Sequence, residues 1–247
     1  MIKRNATAAI IGAGDYIGAA ICERFAAEGY VIAAGRRTAE KLLPLKARIE
    51  AAGGECLARG LDARNEAEVV AFLTEAEARA PLEVCVFNPG ANVNFPLLDT
   101  TERVFRKVWE LACYGGFLTG REAARLMLQR GKGSILFTGA TASLRGGIGY
   151  AAFASAKAGL RNLAQSMARE LGPKGIHVAH LIIDAGVDTA FVRERIKAAA
   201  GEEALANLRP DQLMEPRSVA QAYWNIHTQS RDAWTFEMDL RPYAEKW

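Results

Sequence analysis

Three stretches of this sequence hold residues whose types and spacing can do chemistry. The first is Gly12-Ala13-Gly14-Asp15-Tyr16-Ile17-Gly18, which follows a strand-like run and precedes a helical pattern. Glycines in that place permit a tight turn and let backbone N–H groups and a helix N-terminus approach a pyrophosphate. The second is Ala34-Gly35-Arg36-Arg37, where another strand-like run ends in two cations. In a nucleotide-binding sheet an acidic residue at this point would hold a ribose 2′-hydroxyl, whereas arginine suits a 2′-phosphate. Gly35 leaves room and Arg36 offers a fork of donors, so NADP or NADPH is expected ahead of NAD. Asp15 is a contrary sign, because an anion in the turn repels a phosphate. The third stretch runs from Tyr150 to Lys157, in which positions 150, 153 and 157 fall on one helical face.

The remaining reactive residue types are less productive. His180 sits in a strand-like apolar run and reads as a core residue. His177 and His227 have no metal-ligand partners at useful spacing, so no metal is expected. Cys22, Cys56, Cys85 and Cys113 show no CxxC spacing and read as small buried apolar residues of a reduced protein.

The chain has 247 residues, 50% of them apolar and 24% charged, which is an ordinary globular composition and excludes disorder, collagen and coiled coil. Its net charge of +3 comes from 31 basic and 28 acidic residues of interspersed sign, giving no footprint for nucleic acid or a membrane surface. Met1-Ile2-Lys3-Arg4 leads directly into a strand-like run without a signal segment, and no stretch approaches a membrane span. A cytoplasmic protein is expected.

Strand-like and helix-like segments alternate throughout. Strands are predicted over 7–11, 30–34, 56–61, 82–87, 134–138 and 176–183, with a last one over 234–239. Helices are predicted over 17–28, over 38–52 with Gly53-Gly54 as the stop, after an Asn65/Glu68 capping box, over a long region reaching Arg130 from a second box at Asp99/Glu102, and over 150–171. Residues 189–228 are predicted to form a small helical substrate-loop region with short helices around Pro210 and Pro216. Strands separated by helices imply parallel pairing covered on both faces, and no linker divides the chain. The expected fold is a single α/β domain over 1–247, a doubly wound Rossmann-type sheet in three layers.

In order and spacing, these segments resemble the short-chain dehydrogenase/reductase family over essentially the full length. The resemblance assigns Gly12, Gly14, Ile17 and Gly18 to the cofactor loop, with Tyr16 where a glycine is usual. It assigns Arg36 and Arg37 to the adenosine phosphate, Asp62 with Ala63 to the adenine, and Asn88 with Gly90 to the element after strand four. Lys157 is similar to the ribose-binding lysine. Val187-Asp188-Thr189 resembles the segment that meets the nicotinamide carboxamide, although Asp184-Ala185 replaces its Pro-Gly. The family's Asn-Ser-Tyr-Lys tetrad is not retained: Ala112, Ala140 and Phe153 stand at its first three positions, and a phenyl ring has no proton to give.

Three readings stay open. In one, Tyr150 is a displaced acid, at a Tyr-x6-Lys spacing similar to bacterial enoyl-acyl carrier protein reductases; its bland counterpart is a pocket-wall aromatic. In another, hydride reaches an imine carbon without a protein acid. In the third, the chain is a catalytically silent NADP-binding protein. Asn92, Ala140, Thr141, Arg145 and Phe153 are expected around the substrate, with Arg145 either exposed or anchoring an anion. The resemblance implies NADPH-dependent hydride transfer to a small activated C=C, C=N or C=O compound by a homodimer or homotetramer. The aromatic segment 234–243, and Trp247 beyond it, is expected at a subunit interface.

Overall fold

In the computed structural model, residues 3–245 are described; Met1, Ile2, Lys246 and Trp247 lie outside them, as do the expectations that fell there. One seven-stranded sheet organises the chain: β1 (Thr7–Ile11), β2 (Val31–Arg36), β3 (Cys56–Gly60), β4 (Leu82–Phe87), β5 (Gly133–Thr138), β6 (Ile176–Ile183) and β7 (Glu237–Leu240). Their spatial order is β3-β2-β1-β4-β5-β6-β7, and every neighbouring pair is parallel. The order reverses between β1 and β4, which opens a crevice at the carboxyl ends of those strands. All residues of β1 and β6 are buried, because helices cover both faces of a parallel sheet.

One face carries α1 (Ile17–Ala27), α2 (Leu43–Ala51) and α8 (Pro216–His227). There Phe25, Ile49 and Tyr223 pack on Ile10, Ile32 and Val84. On the other face lie α3 (Glu66–Arg79), α5 (Gly115–Leu128) and α6 (Ala151–Leu171). Phe72, Leu118 and Leu160 cover Ile11, Phe87 and Phe137 on that side. A third, smaller cluster joins α4 (Glu102–Trp109) to α6 through Val108, Ala112, Phe153 and Ala156. Among the described residues no helix is long and apolar enough to cross a membrane.

Several predicted boundaries need correction. The second strand starts at Val31 and runs past Ala34 to Arg36, because Gly35 and Arg36 pair with Arg59 and Gly60 of β3. The helix expected over 38–52 is a 3₁₀ turn, Ala39–Leu42, followed by α2, since Pro44 fits only the first turn of a helix. Thr101 rather than Asp99 caps α4, accepting the Val104 N–H, while Asp99 ends a separate turn. α4 continues through a π segment, Glu110–Tyr114, into α5, which ends at Leu128. At Asn65 the side chain accepts from Ala67 and Glu68 N–H, but the Glu68 carboxylate takes the Asp62 amide and the Asn65 side-chain N–H, while the Asn65 backbone N–H that a box needs goes to Asp62 O. Short helices around Pro210 are replaced by α7 (Ala190–Ala206), broken at Gly201 where φ is +86°, and by a turn before α8. The last strand begins at Glu237, because Trp234 instead stacks on His177 with ring centres 4.7 Å apart.

The amino ends of the strands are closed by a polar chain. His227 Nδ1 lies 2.9 Å from Ser134 Oγ, its Nε2 lies 2.8 Å from Tyr30 Oη, and the Tyr30 hydroxyl faces Glu83. A neutral ring protonated on Nε2 satisfies both contacts, accepting from Ser134 and donating to Tyr30. Burial pushes His227 down to about 4, and His180, also buried, down to about 4. Both values lie below the unfolded value of about 6.5, so between pH 6.5 and 4 the unfolded chain binds more protons and stability falls with pH. Unfolding free energy from urea titration should be maximal above pH 6.5 and fall by about 3 kcal/mol per histidine on reaching pH 4. His227→Gln should remove its share of that slope and leave the share of His180; an unchanged slope would mean that burial does not hold the His227 ring neutral.

Candidate cofactor and substrate site

At the crevice, the glycines divide by what makes them necessary. Gly12 has φ +85°, and a side chain there would lie 2.8 Å from Pro89 N. At Gly18 a side chain would lie 2.3 Å from the Gly12 carbonyl oxygen, so α1 meets β1 only if that residue is glycine. A Cβ on Gly14 would meet only the Gly12 carbonyl oxygen, at 4.0 Å, one on Gly90 would meet nothing, and both glycines line the crevice. No side chain caps α1 at Tyr16, and the Ala19 N–H is taken by the Gly14 carbonyl at 2.8 Å, which leaves the Ile17 and Gly18 N–H groups for an anion. An uncapped helix start beside unfilled glycines fits a dinucleotide pyrophosphate.

Asn88 fastens this turn. Its Nδ2 donates to Gly12 O at 2.9 Å, and its Oδ1 accepts from Thr138 Oγ1 at 3.0 Å. Thr138 Oγ1 is 2.6 Å from Tyr223 Oη, so a directed chain runs from Tyr223 through Thr138 and Asn88 to the turn. Arg36 Nη1 lies 2.7 Å from Asp15 Oδ1, which brings together the two opposing signals of the sequence. Arg37 is exposed. Arg64 donates to the Asp62 carboxylate through Nε and Nη2, one edge of the guanidinium, which holds the carboxyl below the ordinary range. Ala63 is buried behind it. Gly35 is required by packing, since a Cβ would lie 2.8 Å from Leu61 Cδ2, and does not clear space for a ligand as expected.

At the other end of the crevice Lys157 is buried, with Nζ donating to Thr138 O at 2.7 Å and Pro89 O at 3.2 Å. Burial pushes its pKa down to about 8. Its third N–H remains for a ligand. The Phe153 ring centre lies 5.9 Å from Nζ and 6.5 Å from the centre of the Tyr150 ring, and the hydrogen bonds of Nζ go to the two carbonyls, not to Tyr150. The Tyr150 hydroxyl accepts from Arg195 Nη2 at 2.8 Å. A guanidinium only donates, so the phenol proton is left for a ligand.

Gly14, Tyr16, Ile17, Gly18, Asn88, Gly90, Asn92, Ala140, Thr141, Arg145, Tyr150, Phe153, Lys157, Val187 and Thr189 all line one cavity of about 1040 Å³. Gly12, Arg36, Arg37, Asp62 and Ala63 are outside its lining, on the turn and at the neighbouring carboxyl ends of β2 and β3. Arg145 pairs with Asp184 at 3.3 Å, a carboxylate that Arg241 also holds. Thr189 caps α7 by accepting the Val192 N–H, and the Tyr16 hydroxyl accepts the Ala190 N–H across the crevice.

This arrangement is matched by known proteins. The short chain dehydrogenase family matches residues 6–200. The chain belongs to this family. A short-chain dehydrogenase of known structure from Rhodopseudomonas palustris is 62% identical, with a TM-score of 0.84 over 97% of this chain and 100% of the other. The 3-oxoacyl-[acyl-carrier-protein] reductase MabA of Mycobacterium avium is 33% identical over 196 residues, 78% of this chain and 72% of the relative. An actinorhodin polyketide ketoreductase, solved with NADPH, shares the fold at 23% identity and a TM-score of 0.87, over 97% of each chain.

For a short chain dehydrogenase, the residues missed in the sequence are informative. Tyr223 closes the Asn88 chain, and Phe191, Val192, Arg195 and Ile196 of α7 wall the cavity. No periodicity could have placed the α7 residues, because that helix buries none of its side chains. Thr138→Val should leave Asn88 Oδ1 without its donor and the Tyr223 hydroxyl without its acceptor. Calorimetry should show a loss of about 1–3 kcal/mol, a melting temperature several degrees lower. An unchanged melting temperature would show that the chain carries no load.

Proposed function

We propose that the protein is an NADPH-dependent reductase of a small, largely apolar compound with an activated C=C, C=N or C=O bond. One observation carries the reading: a single cavity joins the uncapped start of α1 and the open glycines to Lys157 and to an unclaimed phenol proton. The names of relatives support it, since MabA is a reductase, and a metagenomic short-chain oxidoreductase of the same fold was solved with NADP.

Bound nicotinamide would supply hydride. In this chain Gly14, Ile17 and Gly18 would receive the pyrophosphate, Arg36 the 2′-phosphate, Asn88 and Gly90 would border the ribose, and Lys157 would donate to its hydroxyls. Val187 and Thr189 would border the carboxamide. Tyr150 is the proton donor, positioned by Arg195, while Phe153, Ala140 and Thr141 shape an apolar wall. The phenyl ring near both Lys157 and Tyr150 favours a second reading, a silent NADP-binding protein, because the lysine bonds two carbonyls and not the phenol.

Two experiments test the parts separately. Arg36→Ala should weaken NADPH by about 1–2 kcal/mol and leave NADH nearly unchanged, the worth of a charge-assisted bond made in competition with Asp15. Asp15→Asn should tighten NADPH a few-fold. Equal affinity of the native protein for both cofactors, measured by fluorescence titration, would contradict the NADP assignment.

Tyr150→Phe should lower turnover of an activated enone by about 10²- to 10⁴-fold with NADPH affinity intact. Full retained activity on imines would instead assign the proton to solvent. NADPH binding without oxidation by any enone, imine or ketone would favour the silent protein.

A further inference from the structure

The reading above leaves the substrate's polar features unassigned, and the charge around the cavity addresses them. Four charged residues line it: Asp15, Arg145, Lys157 and Arg195. Asp15 lies at the glycine end and is paired with Arg36, Arg145 is paired with Asp184, and Lys157 is turned onto two backbone carbonyls. Arg195 differs from the rest. Its contacts are the Tyr150 hydroxyl at 2.8 Å and the Phe191 ring, 5.7 Å from the guanidinium carbon. Neither is an acid, so an exposed cation without an acidic partner stands at the cavity wall, which Phe153, Phe191, Val192 and Ile196 also line.

The pairing with Tyr150 makes the site more specific. A guanidinium carries five N–H donors, of which the phenol oxygen takes one. The others remain beside the phenol proton. Arg195 and Tyr150 therefore offer an anion-binding edge and a neutral O–H donor side by side, with donor atoms one hydrogen bond apart. A ligand that satisfies both has an anionic group and a second acceptor on neighbouring carbons, and an apolar remainder for the wall. We propose that Arg195 is the specificity-determining residue for a small organic acid whose carboxylate sits on the carbon next to the reducible bond, as in a 2-oxo or 2-imino acid. This rests on the reductase reading for the reducible bond alone; the anion site stands on its own geometry.

The test compares phenylpyruvate with its methyl ester, which keeps the ring and the oxo group and removes the charge. Binding is measured by calorimetry, without turnover, to the cofactor-free protein and to the protein saturated with NADP. The acid should bind about 10-fold more tightly than the ester. Arg195→Gln should erase that preference by weakening the acid alone, and Arg195→Lys should restore part of it, because a point charge replaces the fork. Equal binding of acid and ester, or acid binding unchanged in Arg195→Gln, overturns the inference. So does a loss of NADPH affinity in Arg195→Gln as large as the loss for the acid, since Arg195 would then belong to the cofactor. If the native protein binds the acid by this pattern but never binds NADPH, the reductase reading fails and the anion site stands.

Discussion

A buried ammonium group constrains most of this architecture. Lys157 is 2% exposed, and an unpaired charge so far from water would cost several kcal/mol. It is tolerated because Nζ reaches the carbonyls of Pro89 and Thr138, at the carboxyl ends of β4 and β5. Those contacts pin α6 to the sheet where the crevice opens. Phe153 lies one turn earlier on the same helix, while Tyr150, expected inside it, is its N-cap residue with non-helical backbone, and all three side chains line the cavity. The depressed lysine pKa of about 8 is the residual signature of that burial. An anionic dinucleotide beside it would relieve the strain by supplying the missing acceptor.

The sheet was legible because its chemistry is redundant. β1, β4 and β6 are buried runs of aliphatic residues between turn formers, and their predicted bounds match those observed. Asn65 announced its helix through local side-chain bonding. Elements governed by tertiary contacts were read less well. Thr101 and Asp99 are equivalent caps by residue type, and only the path of the chain selects Thr101. α7 lacks a core-facing stripe, so nothing in its pattern announced a seventeen-residue helix.

The same division runs through the site. The glycine turn, Asn88, Tyr150 and Lys157 could be named from local pattern, and all but Gly12 and Ala13 of the turn line one cavity. The pairings could not. Asp15 and Arg36 are 21 positions apart, Tyr150 and Arg195 are 45 apart, and only folding turns each into a pair. α7 is held largely by such polar contacts at its start, from Tyr16 to Ala190 and from Arg195 to Tyr150. None of its side chains is fully buried, and Val192 and Ile196 are half-buried.

The central claim is that one cavity presents a dinucleotide's reactive end to Tyr150 despite a phenyl ring beside the lysine. A crystal structure of the NADPH complex tests it directly. The account predicts the 2′-phosphate on Arg36 with Asp15 turned away, the ribose hydroxyls on Lys157, and nicotinamide C4 open to the space between Tyr150 and Phe153. A nicotinamide ring covered by Phe153 or Phe191, with C4 shielded from the Tyr150 hydroxyl, would contradict it.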